Sequence, residues 1–387
     1  METFLSLLRF EFKRIFSNTV VVAIFFAAPI FYGILFGYVY QQAKVLDLPI
    51  VVIDQDSSPL SNTIIDAFDD NETLKIVDIR NSHETIAEEM PSKGYQAIIT
   101  IPSGFEADIL QKRNPEVHID LNMSNILNAN FASKNIQAVL ATLNAGIEIE
   151  SLEKQGLSPS EALKAFQPFN ITFNKLYNPS GNYDTFMLPG LLGVIMQQII
   201  FLALALVFAR DFEDGYFARL VDKSTSSLYH ITLKSVPFLV LIPIIWLVVA
   251  SFLPMFGVEL NIFNPAMVLV ATLLSISAMF IGMLFSVLIP SQLKATEFLM
   301  VISTPAFVLS GFTWPVAAMP APISALAQII PLTHFLEAFK KIALYGGVTK
   351  DVLPEIKALL LLTIVSFVII VIVLKVKILI QVRENNA

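Results

Sequence analysis

The stretch FLMVISTPAFVLSGFTWPVAAMPAPISALAQIIPLTHFL, running from Phe298 to Leu336, decides how the chain is read. It holds no acidic residue, lysine or arginine, is mostly apolar, and is far longer than the ~20 helical residues that cross a hydrocarbon core. Pro305, Gly311, Pro315, Pro320, Pro322 and Pro331 punctuate it. The spacing predicts one crossing from Phe298 to about Thr313, then a broken, re-entrant return. Each unpaired backbone group in lipid costs several kcal/mol. Irregular chain at that depth must therefore be buried in protein or line a watery cavity, which puts a translocation path nearby.

Composition agrees with a membrane setting. Of 387 residues, 55% are hydrophobic and 15% charged, with 31 Phe; the apolar fraction exceeds what a soluble core of this size needs. The net charge of -7, with no basic cluster interleaved with aromatics, excludes nucleic acid as a partner. Cysteine is absent, so disulfides, thiolate catalysis and cysteine-ligated metal are excluded. Thr19 to Gln42 is uncharged for longer than the apolar core of a signal peptide and has no small-x-small site after it. It is expected to be a permanent helix.

Working outward, Phe4, Leu5, Leu8, Phe12, Ile15 and Phe16 recur at helical spacing around Arg9, Lys13 and Arg14, as in a helix lying on a membrane surface. Thr19 to Tyr40 is the first span. From Lys44 to Asp184 charges appear throughout, and acidic residues outnumber basic ones two to one. Leu48 to Asp54, Leu74 to Ile79, Tyr95 to Ile101, Glu116 to Asn122 and Asn170 to Leu176 read as strands. Helices are expected at Leu60 to Phe68, Glu84 to Met90 and Ala107 to Lys112, with a longer amphipathic one around Ile136, Val139, Leu140, Leu143 and Ile147. Alternating strands and helices predict an α/β layer. Further spans follow at Thr185 to Ala209, Ser235 to Phe256, Phe263 to Ile289, Phe298 to Thr313 and Ala358 to Leu374. The reading is a polytopic α-helical membrane protein: six transmembrane helices, a re-entrant outer hairpin after the fifth, and an extracytoplasmic α/β domain. Arg9, Lys13, Arg14, Arg210, Arg219, Lys223, Lys234, Lys375 and Lys377 put both termini in the cytoplasm. Lys340, Lys341, Lys350 and Lys357 run against that bias.

Candidate functional residues are few. There is no phosphate-binding Gly-rich loop with Lys-Ser/Thr, no nucleophile elbow, and the spans as drawn carry no ionisable residue of the kind an ion-driven transporter uses. The segment Arg210-Asp-Phe-Glu-Asp-Gly-Tyr-Phe-Ala-Arg-Leu follows the second span. Its alternating charges, aromatics and Gly215 read either as a solvated loop or as a short helix docking a cytosolic partner. In the docking reading Asp211, Glu213, Asp214 and Arg219 are polar contacts, and Phe212, Tyr216 and Phe217 form the apolar face. Gln197 and Gln198 in the second span need partners: interhelical hydrogen bonds most commonly, or a substrate group. Ser303, Thr304, Ser310 and Thr313 are the hydroxyls available beside the broken run, and Gly311 and Pro315 shape it. His334 and Glu337 have metal-ligand spacing, but two ligands make no site. Capping or packing is favoured for them.

Taken together, several motifs resemble the membrane subunits of type-2 ABC exporters, in the branch with a large outer domain between the first two spans. They are Arg9-Phe-Glu-Phe-Lys-Arg-Ile-Phe, Pro29 and Phe36-Gly37, Leu48-Pro-Ile-Val-Val-Ile-Asp-Gln-Asp-Ser-Ser-Pro-Leu-Ser, Ile101-Pro-Ser-Gly-Phe, Ser310-Gly-Phe-Thr-Trp-Pro, Met319-Pro, Pro331-Leu-Thr-His-Phe and Tyr345-Gly-Gly. The resemblance implies that Arg210, Asp211, Phe212, Glu213, Asp214, Gly215 and Arg219 belong to a coupling helix that contacts an ATPase subunit. Where the family usually has Thr, this chain has Tyr216. It further implies a second copy or close homologue, cytosolic ATPases that hold the ATP and Mg while this chain holds no cofactor, and in many members a periplasmic adaptor and an outer-membrane channel.

The expected division is a cytoplasmic interfacial helix (1–18), the first transmembrane helix (19–43), the extracytoplasmic domain (44–184), spans two to six (185–377) with the coupling segment at 210–222, and a cytoplasmic tail (378–387). The implied protein is a multi-pass subunit of a bacterial inner membrane, not itself an enzyme. It would export an amphipathic small molecule or lipid. A receptor or scaffold with an outer ligand-binding domain is the alternative.

Overall fold

The structure, a computed structural model, describes residues 4–41, 44–82, 86–167, 174, 176–179 and 181–385. Two compact units emerge: Lys44–Asn174, and the rest of the chain.

Helix α1 (Phe4–Ser17) turns Leu7, Glu11 and Ile15 inward, one residue per turn on a single face. Phe4, Leu5, Phe10 and Phe16 are exposed. Of the apolar residues expected to face a membrane surface, only Ile15 is buried in the protein, on a side with a glutamate at its centre. Asn18 caps α2 (Thr19–Tyr40) by accepting from the amides of Val20 and Val21. A π-helical turn at Ala23–Ala27 precedes Pro29, whose missing N–H frees a carbonyl one turn back.

The α/β unit is a four-stranded sheet of order β2-β1-β3-β4, formed by β1 (Leu48–Asp54), β2 (Leu74–Arg80), β3 (Ala97–Ile101) and β4 (His118–Leu121). β1 runs parallel to β2 and β3, and β4 pairs antiparallel with β3. β1 and β3 are apolar without alternation because helices cover both faces. Leu48, Ile50 and Val52 meet α3 (Pro59–Asp69), α5 (Phe105–Leu110) and α6 (Ile126–Lys154); Val51 and Ile53 meet Met90 of α4 (Ile86–Lys93). The Asp-Gln-Asp-Ser-Ser-Pro motif is loop architecture. Asp54 accepts from the amides of Asp56 and Ser57 and from the Ser61 hydroxyl, while Ser58 and Ser61 close a capping box at the start of α3. A further helix, α7 (Pro159–Phe166), starts at a Ser158–Glu161 capping box that the sequence reading passed over. The strand expected at Asn170 to Leu176 lies mostly outside the described residues.

The second unit is helical. α8 (Tyr183–Glu213), α9 (Tyr216–Lys223), α10 (Ser227–Met255), α11 (Pro265–Leu288), α12 (Gln292–Ser303), α13 (Ala306–Leu309), α14 (Ala321–Ala327), α15 (Pro331–Phe339) and α16 (Leu353–Asn385) complete it. α8 is the hub, packing on α11, α12 and α2, while α11 also packs on α16. Among the described residues, five helices have the length and composition to cross a membrane. The expected continuous helix from Phe298 to Thr313 is not found. Its helix begins earlier, at Gln292, and stops at Ser303; α13 follows Pro305 as a separate turn. Pro305 supplies no N–H, so the helical ladder is interrupted there although Thr304 itself keeps helical backbone. Pro189, Pro237 and Pro243 by contrast sit inside α8 and α10 without ending them, and Pro254 is the last residue but one of α10.

Candidate functional site

α8 and α10 extend beyond the apolar runs that announced them, and their added turns carry charge. Asp211 on α8 and Lys234 on α10 are almost wholly enclosed, and Glu11 on α1 is buried beside them. Lys234 Nζ lies 2.6 Å from Asp211 Oδ2, an ionic contact off the hydrogen-bond direction, and donates to Glu11 Oε1 at 2.8 Å. Arg14 donates through Nη1 to Asp211 Oδ1, and through Nη2 to Asp214 Oδ2 at 3.3 Å. Arg210 Nη1 donates to the Arg14 carbonyl at 3.2 Å, and its Nε is 3.4 Å from Asp214. Above the cluster, the Tyr216 ring faces both cations, Arg14 at 4.6 Å and Lys234 at 5.6 Å. Burial disfavours the Arg14 charge, but Asp211 and Glu11 outweigh it and hold the guanidinium above its ordinary value. The network joins α1, α8, α9 and α10.

Gly215 makes the elbow between α8 and α9 with φ +66°, a left-handed conformation that a side chain disfavours. α9 then turns Phe217, Leu220 and Val221 inward, while Glu213, Asp214, Gly215 and Arg219 stay exposed. Glu213 reaches sideways to accept from the amide (2.8 Å) and side chain of Gln292. It thereby caps α12, whose own Ser291 makes no cap bond. Lys377 of α16 stacks over Phe212 at 4.3 Å, and Lys375 donates to the Thr225 carbonyl at 3.1 Å. From α11, Ser286 Oγ accepts from the amides of Phe208 and Ala209. Every long helix of the bundle except α2 is thus tied by a polar or cation–π contact to the last turns of α8, to α9, or to the loop after it.

Residues 19–372 match the family described as ABC-2 family transporter protein. The chain belongs to the ABC-2 transporter family. Its relatives include the probable multidrug ABC transporter permease YbhS of Escherichia coli K12, 24% identical over 275 residues and 69% of each chain. The probable multidrug permease YbhR of the same organism is 22% identical over 364 residues, 92% of this chain and 94% of that one. ABC transporter G family member 20 of Dictyostelium discoideum is 22% identical over 347 residues, 87% of this chain and 45% of that protein. No solved structure matches the chain. The chain is therefore an ABC-2 permease with several membrane-crossing helices.

Within this permease, the residues singled out from the sequence fall into two groups. In the coupling segment, Asp211 is no surface contact: it is enclosed and spent on Arg14 and Lys234. Phe212 packs partly into the core and Phe217 wholly. The outward charges are Glu213, Asp214 and Arg219. In the expected path, Gln197 is buried and accepts from the amide of Leu332 at 2.8 Å, capping α15, whose Ile330 has no cap of its own. Gln198 is half-buried beside it. Ser303 and Ser310 spend their hydroxyls on the carbonyls of Leu299 and Phe307. Gly311 takes φ +79°, and its carbonyl accepts from Lys340 Nζ at 3.3 Å, as does that of Phe312. Thr313 and Pro315 are exposed. His334 Nε2 donates to the Gln328 carbonyl at 2.9 Å, and Glu337 sits 3.8 Å from Lys341. No cluster of three metal-ligating residues occurs among the described residues.

Glu11 and Lys234 are the participants that sequence reasoning missed. A signal existed. Glu11 shares the i, i+4, i+8 register of Leu7 and Ile15 in an otherwise basic helix, and Lys234 is flanked by Leu233 and Ser235 with an apolar run beyond.

Proposed function

We propose that this permease is the membrane subunit of an ATP-driven exporter that moves an amphipathic small molecule or lipid out of the cytoplasm or inner leaflet. It works as a pair, with itself or a close homologue. Separate cytosolic ATPases hold the ATP and Mg. Both termini and the α8–α9 elbow lie on the cytoplasmic side, and the α/β unit lies outside, where a periplasmic adaptor and an outer-membrane channel meet it. α12 and α13 make the fifth crossing, with α14 and α15 as the re-entrant return that shapes the exit. Names of the relatives, which include multidrug permeases, support the cargo class.

The observation that carries the reading is the buried charge network beneath the elbow. Separating one ion from a buried pair costs about 3–5 kcal/mol. A push on the exposed Arg219 face of α9 is therefore passed to α1, α8 and α10 together rather than absorbed by one helix, and two packed arrangements of the pair become the inward and outward states. The test is reconstitution of the permease with its ATPase in vesicles. An amphipathic fluorescent substrate is expected to move only with ATP, and transport at an unchanged rate without the ATPase overturns the proposal.

A further inference from the structure

Between α8, α10, α11 and α15 lies a crevice of about 370 Å³, within the ~300–1,000 Å³ range of small-molecule sites. None of the residues expected to line a translocation path borders it. Only Trp246, Thr272 and Ser275 in its wall carry a hydrogen-bonding side-chain atom. Each donor is already spent: Trp246 Nε1 donates to Ser275 Oγ at 2.8 Å, Ser275 to the Ala271 carbonyl at 2.7 Å, and Thr272 to the Val268 carbonyl at 2.7 Å. A polar head placed here would lose its hydration with no side-chain donor to replace it, at about 2–7 kcal/mol per group. A hydrocarbon chain loses nothing.

The mouth says where such a chain comes from. Leu239, Leu247 and Val268 are 44%, 58% and 50% exposed, and all lie on α10 and α11, two of the membrane-crossing helices. The surface they form faces hydrocarbon, so the opening is lateral, toward the bilayer. At its inner end the crevice meets Phe335 and Phe339 of α15, the helix capped by Gln197. We propose that this crevice is a site for one acyl chain of a bilayer lipid, which fills the space between α10, α11 and α15. Bilayer tails are as apolar as the wall, so the chain is held by shape and packing rather than by a hydrophobic driving force, and it exchanges with bulk lipid. The inference requires only that α10 and α11 cross the bilayer, and it stands apart from the cargo.

The chain has two tryptophans. In Trp314→Phe, Trp246 in the crevice wall becomes a single reporter. Reconstituted without any ATPase in phosphatidylcholine vesicles carrying one brominated acyl chain, this variant is expected to lose most of its Trp246 emission. Ala271→Phe or Ala250→Phe, each added separately to fill the crevice, is expected to restore most of it. Two fillers on different helices guard against one that disturbs folding, which circular dichroism of the same sample detects. Equal quenching in open and filled chains overturns the proposal, because Trp246 then sees lipid across an ordinary surface. Absence of quenching in the open chain also overturns it.

Discussion

The two ends of α8 are held by different chemistry. At Asp211, α1, α8 and α10 meet through buried ions with fixed partners, and α9 lays the Tyr216 ring over them. Toward Gly190, Gly193 and Gln197, contact is apolar, with Phe312 and Phe335 lying against the glycines and one amide cap at Gln197. Each end caps a neighbouring helix that cannot cap itself: Glu213 serves α12 and Gln197 serves α15. The charged end tolerates little change in geometry, since an ion that loses its partner stays buried. The apolar end can repack at small cost. A bundle built this way moves as a unit at its charged end and adapts at its apolar end.

Lys234→Met breaks that contrast most severely. It leaves Glu11 and Asp211 with Arg14 as their remaining buried cation, and a loss of about 3–5 kcal/mol is expected, seen as a lowered melting temperature of the purified permease. Glu11→Gln added to Lys234→Met is expected to recover part of the loss, because Asp211 and Arg14 then remain as a balanced buried pair.

Gly311→Val tests the other end. A valine there has an unfavourable left-handed backbone, at about 1–3 kcal/mol, and its Cβ would meet Val316 Cγ2 at 2.6 Å. Export is expected to fall more than the melting temperature does, since the strain stays within the hairpin. Wild-type export by this variant would contradict a shaping role.

Glu213→Lys removes the cap of α12 and reverses an exposed charge of the elbow. A stability loss of about 1 kcal/mol is expected, with weaker co-purification of the ATPase. The smallest effect lies in the α/β unit. Hydrogen bonds from Arg80 and Lys93 hold the Glu89 carboxyl at about 2, below its ordinary 4.5. Its contribution is complete above pH 4.5 and is lost as pH falls toward about 2. Hydrogen-exchange protection of β2, taken relative to the intrinsic rate at each pH, is expected to fall across that range in the wild type and to change less in Arg80→Met.

The contrast also explains what the sequence made legible. The first four strands of the α/β unit are legible because short β-rich runs end in polar or turn residues, and β1 keeps the bounds so read, Leu48 to Asp54. The long helices followed from uncharged length. Both approaches fail where charge is buried. Reading by apolar runs ends the second span at Ala209 and begins the third at Ser235, which leaves Asp211 in a loop or partner-docking helix and Lys234 in a basic flank. Their burial depends on each other and on Glu11, more than two hundred residues from Lys234 in the chain. Pro305 misleads in the opposite way: three prolines, Pro189, Pro237 and Pro243, persist inside α8 and α10, and only tertiary packing decides that this one ends its helix.

The central claim is that the buried network transmits work from the elbow to the bundle. The most direct test is the substrate transported per ATP hydrolysed by the reconstituted complex carrying Lys234→Met, at a temperature where that variant stays folded. The account predicts that the ATPase still binds and turns over while transport per ATP falls about two- to thirty-fold, the span of ~0.5–2 kcal/mol of coupling. An unchanged ratio would contradict it.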